Sequence, residues 1–400
     1  MPDRLPRPSP LQRPAVSALS TLCTALALGG VGAVFVLKYG AEVMPAAGLA
    51  ALGFGGVYVG AVLTARRLSD SAPTSAVVTL EALLLLGTLA LAVLSPPESD
   101  VVRLPALAVW LERLFDGAYP YGIPVRPSGF PGLFLLAAPF WAAGLLRLLP
   151  VVGLAVFLVV LRRYTPTDRL TPLVGLALLP SFYYEVVVHS ELFFNSALVL
   201  ASLGVFEWAR RRSTPTLLVA AALAGLLLST RLYVGVVYAV YGAYAFRSDW
   251  GRGAAFAGVA LAAWAATWAP FVAWDPERFA AFGPFAVQSL YLPRWLAGLS
   301  VGTALWLGWR APDLDAVVTR AGWLLLTLVA FFGVTAVDRS FPLAMFLGFD
   351  VAYLVLPTPF LLAALAARTP RTFTGEAATH TRDRQLSSVL DASSPTPDPA

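Results

Sequence analysis

GFPGLFLLAAPFWAAGLLRLLPVVGLAVFLVVL, running from Gly129 to Leu161, is the stretch on which the reading of the whole chain turns. As one continuous helix it would be about 50 Å long, too much for one crossing of a hydrocarbon layer of about 30 Å and too little for two crossings with a turn. One part must therefore lie flat. PGLFLLAAPFWAAG is read as an interfacial or re-entrant segment, and LLRLLPVVGLAVFLVVL as the crossing that delivers Arg162 and Arg163 to the side of the other basic clusters. Counting both as crossings would throw every later cluster to the wrong side.

The surrounding composition demands a bilayer. Of 400 residues 58% are hydrophobic and 13% charged, too few charges for a surface that faces water throughout. Apolar runs of about 15 to 23 residues alternate with short charged clusters, the pattern of many spanning helices. Period-two alternation is missing, which argues against an outer-membrane barrel. The expected fold is an all-α, polytopic integral membrane protein of about 12 transmembrane helices. They are placed near 15–37, 45–64, 76–95, 145–161, 169–186, 192–209, 215–230, 232–246, 254–273, 294–309, 320–337 and 344–367.

Charge sets the expected orientation. With the N-terminus inside, nineteen of the 28 lysines and arginines fall on the cytoplasmic side, where positive residues collect. The expectation is a multi-pass protein of the cell (inner) membrane with both termini cytoplasmic: an arm at 1–14, a transmembrane domain at 15–367 with an extracytoplasmic loop at 96–144, and a disordered tail at 368–400. The first run follows Arg4, Arg7 and Arg13, yet it is longer than a signal-peptide core and no small-residue cleavage site follows, so a retained helix is expected. A net charge of +5 does not point to nucleic acid, because the arginines punctuate the helices instead of pooling in one domain. Cys23 is the single cysteine, which rules out an intrachain disulfide, and His189 and His380 are too few for an imidazole zinc cluster.

The loop after the third run concentrates chemistry. In PPESDVVRLPALAVWLERLFDGAYPYG, Pro96 and Pro97 stop a helix and Glu98 and Asp100 place two acids at the membrane face. A helical wheel from Leu104 gathers Leu107, Trp110, Leu111, Leu114 and Phe115 with it, and Glu112, Arg113 and Asp116 opposite, which predicts a helix lying along the interface. Tyr119 and Tyr121 follow in a turn, suited to the headgroup level or to stacking on a ring.

The acidic Glu-x-Asp on a large outer loop, the juxtamembrane helix, the GAYPYG turn and the SGFPGLF entry to the next helix together resemble the GT-C superfamily of membrane glycosyltransferases. The closest-looking branch is the polyprenyl-phosphate-mannose-dependent mannosyltransferases. VVVHSELFFNSALVLASLGVFEWARRR, LAGLLLSTRLYV and PFVAWDPERF continue the resemblance, which covers roughly residues 95–365. It implies transfer of a sugar, mannose in that branch, from a polyprenyl-phosphate donor to a glycan or lipid acceptor at the extracytoplasmic face.

Under that resemblance Asp100 is the candidate general base, with Glu98 its neighbour or a metal ligand; the alternative is a pair of solvated acids. Arg231 is the leading candidate for the donor phosphate because a cation there sits on the side that topology disfavours, the alternative being snorkelling to headgroups. Arg294 is a second choice, with Arg278 and Arg126 behind it. Tyr119, Tyr121, His189, Glu191 and Asp275 are candidate cavity residues, although Asp275 in WDPERF also reads as an ordinary helix start. Glu81 and Asp350 are acids within apolar runs, functional candidates or ties to a neighbouring helix. No cofactor is assigned, and a divalent metal is left open. No phosphate-cradling or dinucleotide motif is present, which suits a lipid-borne donor. The rival reading is a polytopic transporter or lipid flippase, and a third is a non-catalytic assembly factor.

Overall fold

The computed structural model describes residues 13–40, 44–96, 103–122, 127–165, 168–288, 294–337 and 351–366. Among them every regular element is helical. In order they are α1 (Arg13–Gly40), α2 (Ala47–Leu68), α3 (Thr74–Leu94), α4 (Arg103–Phe115), α5 (Pro131–Ala142), α6 (Leu149–Tyr164), α7 (Leu170–Ala177), α8 (Pro180–Val187) and α9 (Leu192–Arg210). There follow α10 (Thr214–Leu228), α11 (Tyr233–Ala245), α12 (Trp250–Trp274), α13 (Pro276–Phe282), α14 (Pro284–Gln288), α15 (Arg294–Trp309), α16 (Leu314–Val337) and α17 (Thr358–Leu365). Short 3-10 turns at Leu146–Leu148 and Val351–Val355 precede α6 and α17.

Local chemistry accounts for many of the boundaries. α5, α6, α8, α10, α13 and α17 each carry proline in the first two positions, where the missing N–H costs nothing and the fixed φ suits a helix. Asp249 and Asp275 cap α12 and α13 by accepting from the backbone N–H groups of Arg252 and Arg278.

Six of these helices are long and apolar enough to cross a membrane, or up to eight if each of two bent pairs counts as one span. The bent pairs are α5 with the 146–163 segment, at 117°, and α7 with α8, at 60°. Every one of the twelve apolar runs holds a helix or a broken pair, but α10 and α11 have only 15 and 13 residues. At 1.5 Å per residue they reach about 22 and 20 Å, short of a hydrocarbon core of about 30 Å. The 117° bend separates α5 from the following helix, so the 129–161 stretch is not one rod.

The links fall at two ends. At one, Arg66 Nη1 reaches the Leu365 carbonyl at 3.4 Å, Ser69 Oγ donates to Asp168 at 2.6 Å, and Arg162 and Arg169 converge on Glu81. At the same end Arg252 and Arg247 join the links that follow α9, α11 and α15. This basic end holds the arginine clusters of the sequence. The main apolar core runs between α1–α3, α6–α12 and α15–α17. α10 and α12 approach so closely that a Cβ on Gly225 would sit 2.3 Å from the Ala260 carbonyl oxygen.

A second, smaller core sits at the opposite end, where α4, α5, the start of α6, the end of α12 and α13 meet. Trp110 is fully buried there and stacks on Phe134 at 4.1 Å. α4 therefore turns Leu104, Leu107, Trp110 and Leu111 into protein. The partner surface comes from Phe134, Phe271 and Phe279, residues far along the chain. Phe115, expected on the same apolar face, is 62% exposed and stacks on Trp141.

Candidate functional site

The site is built on two short links at the end opposite the basic clusters. α9 begins at Leu192, directly after a turn in which His189 takes a left-handed φ of 52°. α10 ends at Leu228 and α11 begins at Tyr233, so Arg231 lies in the four residues between them. α5 holds that second link by its N-terminus: Phe130 N–H donates to the Thr230 carbonyl at 3.2 Å, and Gly132 N–H to Ser229 Oγ at 3.1 Å. A Cβ on Gly132 would stand 2.5 Å from the Leu226 carbonyl oxygen, so only glycine lets α5 come this near. Thr230 Oγ1 donates to Asn195 Oδ1 at 2.9 Å, and Leu232 N–H to Gln288 Oε1 at 2.8 Å. The Gln288 amide donates in turn to the Ser128 carbonyl.

Arg231 and Glu191 meet inside this frame. Their side chains are 3% and 2% exposed, Arg231 Nη2 donates to Glu191 Oε1, and Nη1 donates to Ser128 Oγ at 2.7 Å. Desolvating two such charges costs several kcal/mol per ion, and that cost is recovered only when the remaining polar atoms are also bonded. Here they are not all bonded. Among the described residues, Arg231 Nε, Glu191 Oε2 and Asn195 Nδ2 are buried without a hydrogen-bond partner.

More polar groups surround the pair. Arg103, at the start of α4, lies close enough to act on the charge of Arg231, as does Tyr353. Its guanidinium reaches Ser190 Oγ at 3.4 Å and covers the Tyr353 ring at 4.9 Å. The Tyr233 hydroxyl bonds Ser196 at 3.0 Å and senses both Arg231 and Glu191. Two guanidiniums, one carboxylate and several hydroxyls thus meet at the junction of the two cores, an arrangement able to hold an oxyanion by forked N–H donors. Close by, α4 and the turn after α5 border a mostly apolar groove of about 360 Å³, lined by Leu104, Pro105, Ala108, Trp141, Leu146 and Arg147 among others.

The sequence candidates separate into groups. Glu191 and Arg231 are brought together. His189 is buried beside them, and its Nε2 donates to the Ala92 carbonyl at 2.9 Å, tying the turn to α3. Tyr121 is fully buried in the aromatic core with Trp110 and Phe279. Tyr119 is buried and donates to the carbonyls of Phe271 at 3.3 Å and Asp275 at 3.2 Å. Burial first, and the Asp275 carboxylate second, push its phenol up to about 12, so it stays neutral. Asp275 caps α13 and pairs with Arg278 at 3.3 Å. Glu81 takes both Arg162 and Arg169 at the basic end. Glu98, Asp100, Arg126 and Asp350 lie outside the described residues, and Arg294 begins α15 with its side chain outside the described set. Among the described residues no group of three or more His, Cys, Asp or Glu side chains converges.

Sequence reasoning missed Arg103, Ser128, Gln288, Tyr233 and Tyr353. One signal was available for Arg103, since on the topology expected from the sequence it too is a cation on the side that charge rules disfavour. Comparison with family models, with curated proteins and with solved structures gives no match to this chain.

Proposed function

We propose that the protein is a membrane glycosyltransferase of GT-C type that moves a sugar, mannose in the branch it most resembles, from a polyprenyl-phosphate donor to a glycan or lipid acceptor at the extracytoplasmic face. Twelve crossings, with both termini at the cytoplasmic side of the cell membrane, belong to the same proposal. The observation that carries it is the buried Arg231–Glu191 pair, with open polar atoms and Arg103 beside it, at the end away from the basic links.

In this reading the phosphate of the donor lies against Arg231 and Arg103, whose forked donors hold the charge that grows on phosphate as the anomeric carbon–oxygen bond breaks. Glu191 fixes the orientation of Arg231 and Ser128 holds its second nitrogen. The acceptor hydroxyl attacks the anomeric carbon, and a carboxylate takes its proton. Asp100 is assigned that role, with Glu98 as its neighbour. The flanks of the stretch that carries these acids support the assignment. Ala92 is bonded to His189, and Arg103 reaches Ser190, so both flanks are tied to the turn that presents Glu191.

Membranes supplied with radiolabelled polyprenyl-phosphate sugars test this directly. Asp100→Asn is expected to lower transfer about 10²–10⁴-fold with donor binding retained. Unchanged transfer would remove the proposed base. A second reading, as a transporter, is favoured by the break between α7 and α8, since interrupted helices are common at transporter binding sites. Movement of substrate across sealed vesicles without a new glycosidic bond would select it.

A further inference from the structure

Three consecutive links lie side by side at the basic end, away from the site described above. Arg252 Nη2 donates to the Arg212 carbonyl at 3.3 Å, which ties the α11–α12 link to the α9–α10 link. Arg247 Nη1 donates to the carbonyls of Trp309 at 3.3 Å and Ala311 at 2.9 Å, which ties the same link to the end of α15. Trp250 and Trp309 stack across that seam at 6.0 Å.

Large apolar rings are exposed all along this face. Trp208, Trp250, Trp306 and Trp309 are 52, 69, 54 and 49% exposed. Indoles suit the boundary between headgroups and acyl chains, where the ring is apolar and the N–H can be wet. Two of them carry guanidiniums: Arg212 lies over Trp208 at 5.4 Å and Arg310 over Trp306 at 5.3 Å.

The charges are arranged unequally. Arg210 and Arg211 are both held by Glu207, at 2.7 and 2.8 Å. Arg212, Arg247 and Arg310 have no carboxylate within salt-bridge distance among the described residues. The nearby acids are used locally, Asp249 accepting from Arg252 N–H at 3.1 Å and Asp313 from Ala316 N–H at 2.7 Å. Three cations that lack an acidic partner and stand beside exposed indoles match a row of lipid phosphates. A zwitterionic headgroup brings its own cation and gains little from them, whereas an anionic headgroup gains the full attraction.

We propose that this face is a binding site for anionic phospholipid headgroups, with Arg212, Arg247 and Arg310 on the phosphates and the four indoles at the acyl boundary. The proposal is independent of the glycosyltransferase reading, which concerns the other end of the bundle. Purified protein equilibrated with equal amounts of phosphatidylglycerol and phosphatidylcholine and examined by native mass spectrometry is expected to retain the anionic lipid preferentially, by about fivefold per engaged arginine. That preference is expected to shrink in high salt. Arg212→Gln with Arg310→Gln should lower the preference at least about fivefold. Among the described residues neither side chain bonds a protein carbonyl or carboxylate, and Arg247 is left in place because it also ties two links together. A control, Arg67→Gln with Arg163→Gln, removes two exposed arginines elsewhere at this end and is expected to keep the preference. Equal retention of both lipids by the unaltered protein, survival of the preference in the first variant, or equal loss in the control would each overturn the proposal.

Discussion

Arg231 is the residue on which the account rests, and its environment makes separable predictions. Arg231→Ala leaves Glu191 buried with its charge uncompensated, and about 3–5 kcal/mol of stability should be lost. Arg231→Met combined with Glu191→Met removes both charges, so thermal unfolding in detergent should show most of that loss restored. If the double variant is as unstable as the single one, the pair is not the isolated charge couple described above. Ser128→Ala should cost about 1.5–3 kcal/mol, the range for a hydrogen bond to a charged group. Tyr119 makes a pH prediction. Its phenol titrates near 12 in the folded protein against about 10 unfolded, so between these values the unfolded state loses a proton that the folded state keeps. Stability therefore falls as pH rises from about 10 to 12, and is untouched below. Tyr119→Phe should flatten that part of the stability curve, and a slope identical to that of the parent would contradict the buried, neutral phenol. Arg231 could be singled out from the sequence because a cation at a helix end on the disfavoured side is visible in one dimension. Ser128 and Gln288 could not, because they reach Arg231 and its link from 103 and 56 residues away and nothing local marks them.

Single helices were legible in proportion to how much of their reason lies within them. Proline at the first turns, aspartate caps and long apolar runs gave the helices and most of their ends. The amphipathic face of α4 was equally visible, but a helical wheel does not distinguish a lipid headgroup layer from an aromatic protein surface, and here the surface is protein. Gly132 shows the same limit, for its role depends on carbonyls of α10. Gly132→Ala should push α5 from α10 and cost about 1–3 kcal/mol, with loss of activity if Arg231 moves with the link. Glu81 offers a contrast between two arginines. Arg162 is 54% exposed and Arg169 15%. Arg162→Gln should therefore change stability by less than about 1 kcal/mol, and Arg169→Gln by more. Equal effects in thermal unfolding would mean that burial does not set the worth of these pairs.

On the scale of the whole molecule, the helices have one strongly basic end and one end with a second core and a buried ion pair. If the basic end faces the cytoplasm, single cysteines placed at Ser213 or Asp249 in a Cys23→Ala background should react with a membrane-impermeant thiol reagent only after the membrane is opened. Cysteines at Gly117 or Glu277 should react in intact cells. Labelling of both sets from the same side would refute the orientation and with it the extracytoplasmic site. The central claim, that the Arg231 end holds a polyprenyl-phosphate sugar, is tested most directly by photo-crosslinking. A photoreactive polyprenyl-phosphate sugar irradiated in native membranes should mark peptides that contain Arg103, Ser128 or Arg231, and excess unlabelled polyprenyl phosphate should suppress the marking. Adducts confined to the basic end, or adducts that the unlabelled lipid leaves undiminished, would contradict it.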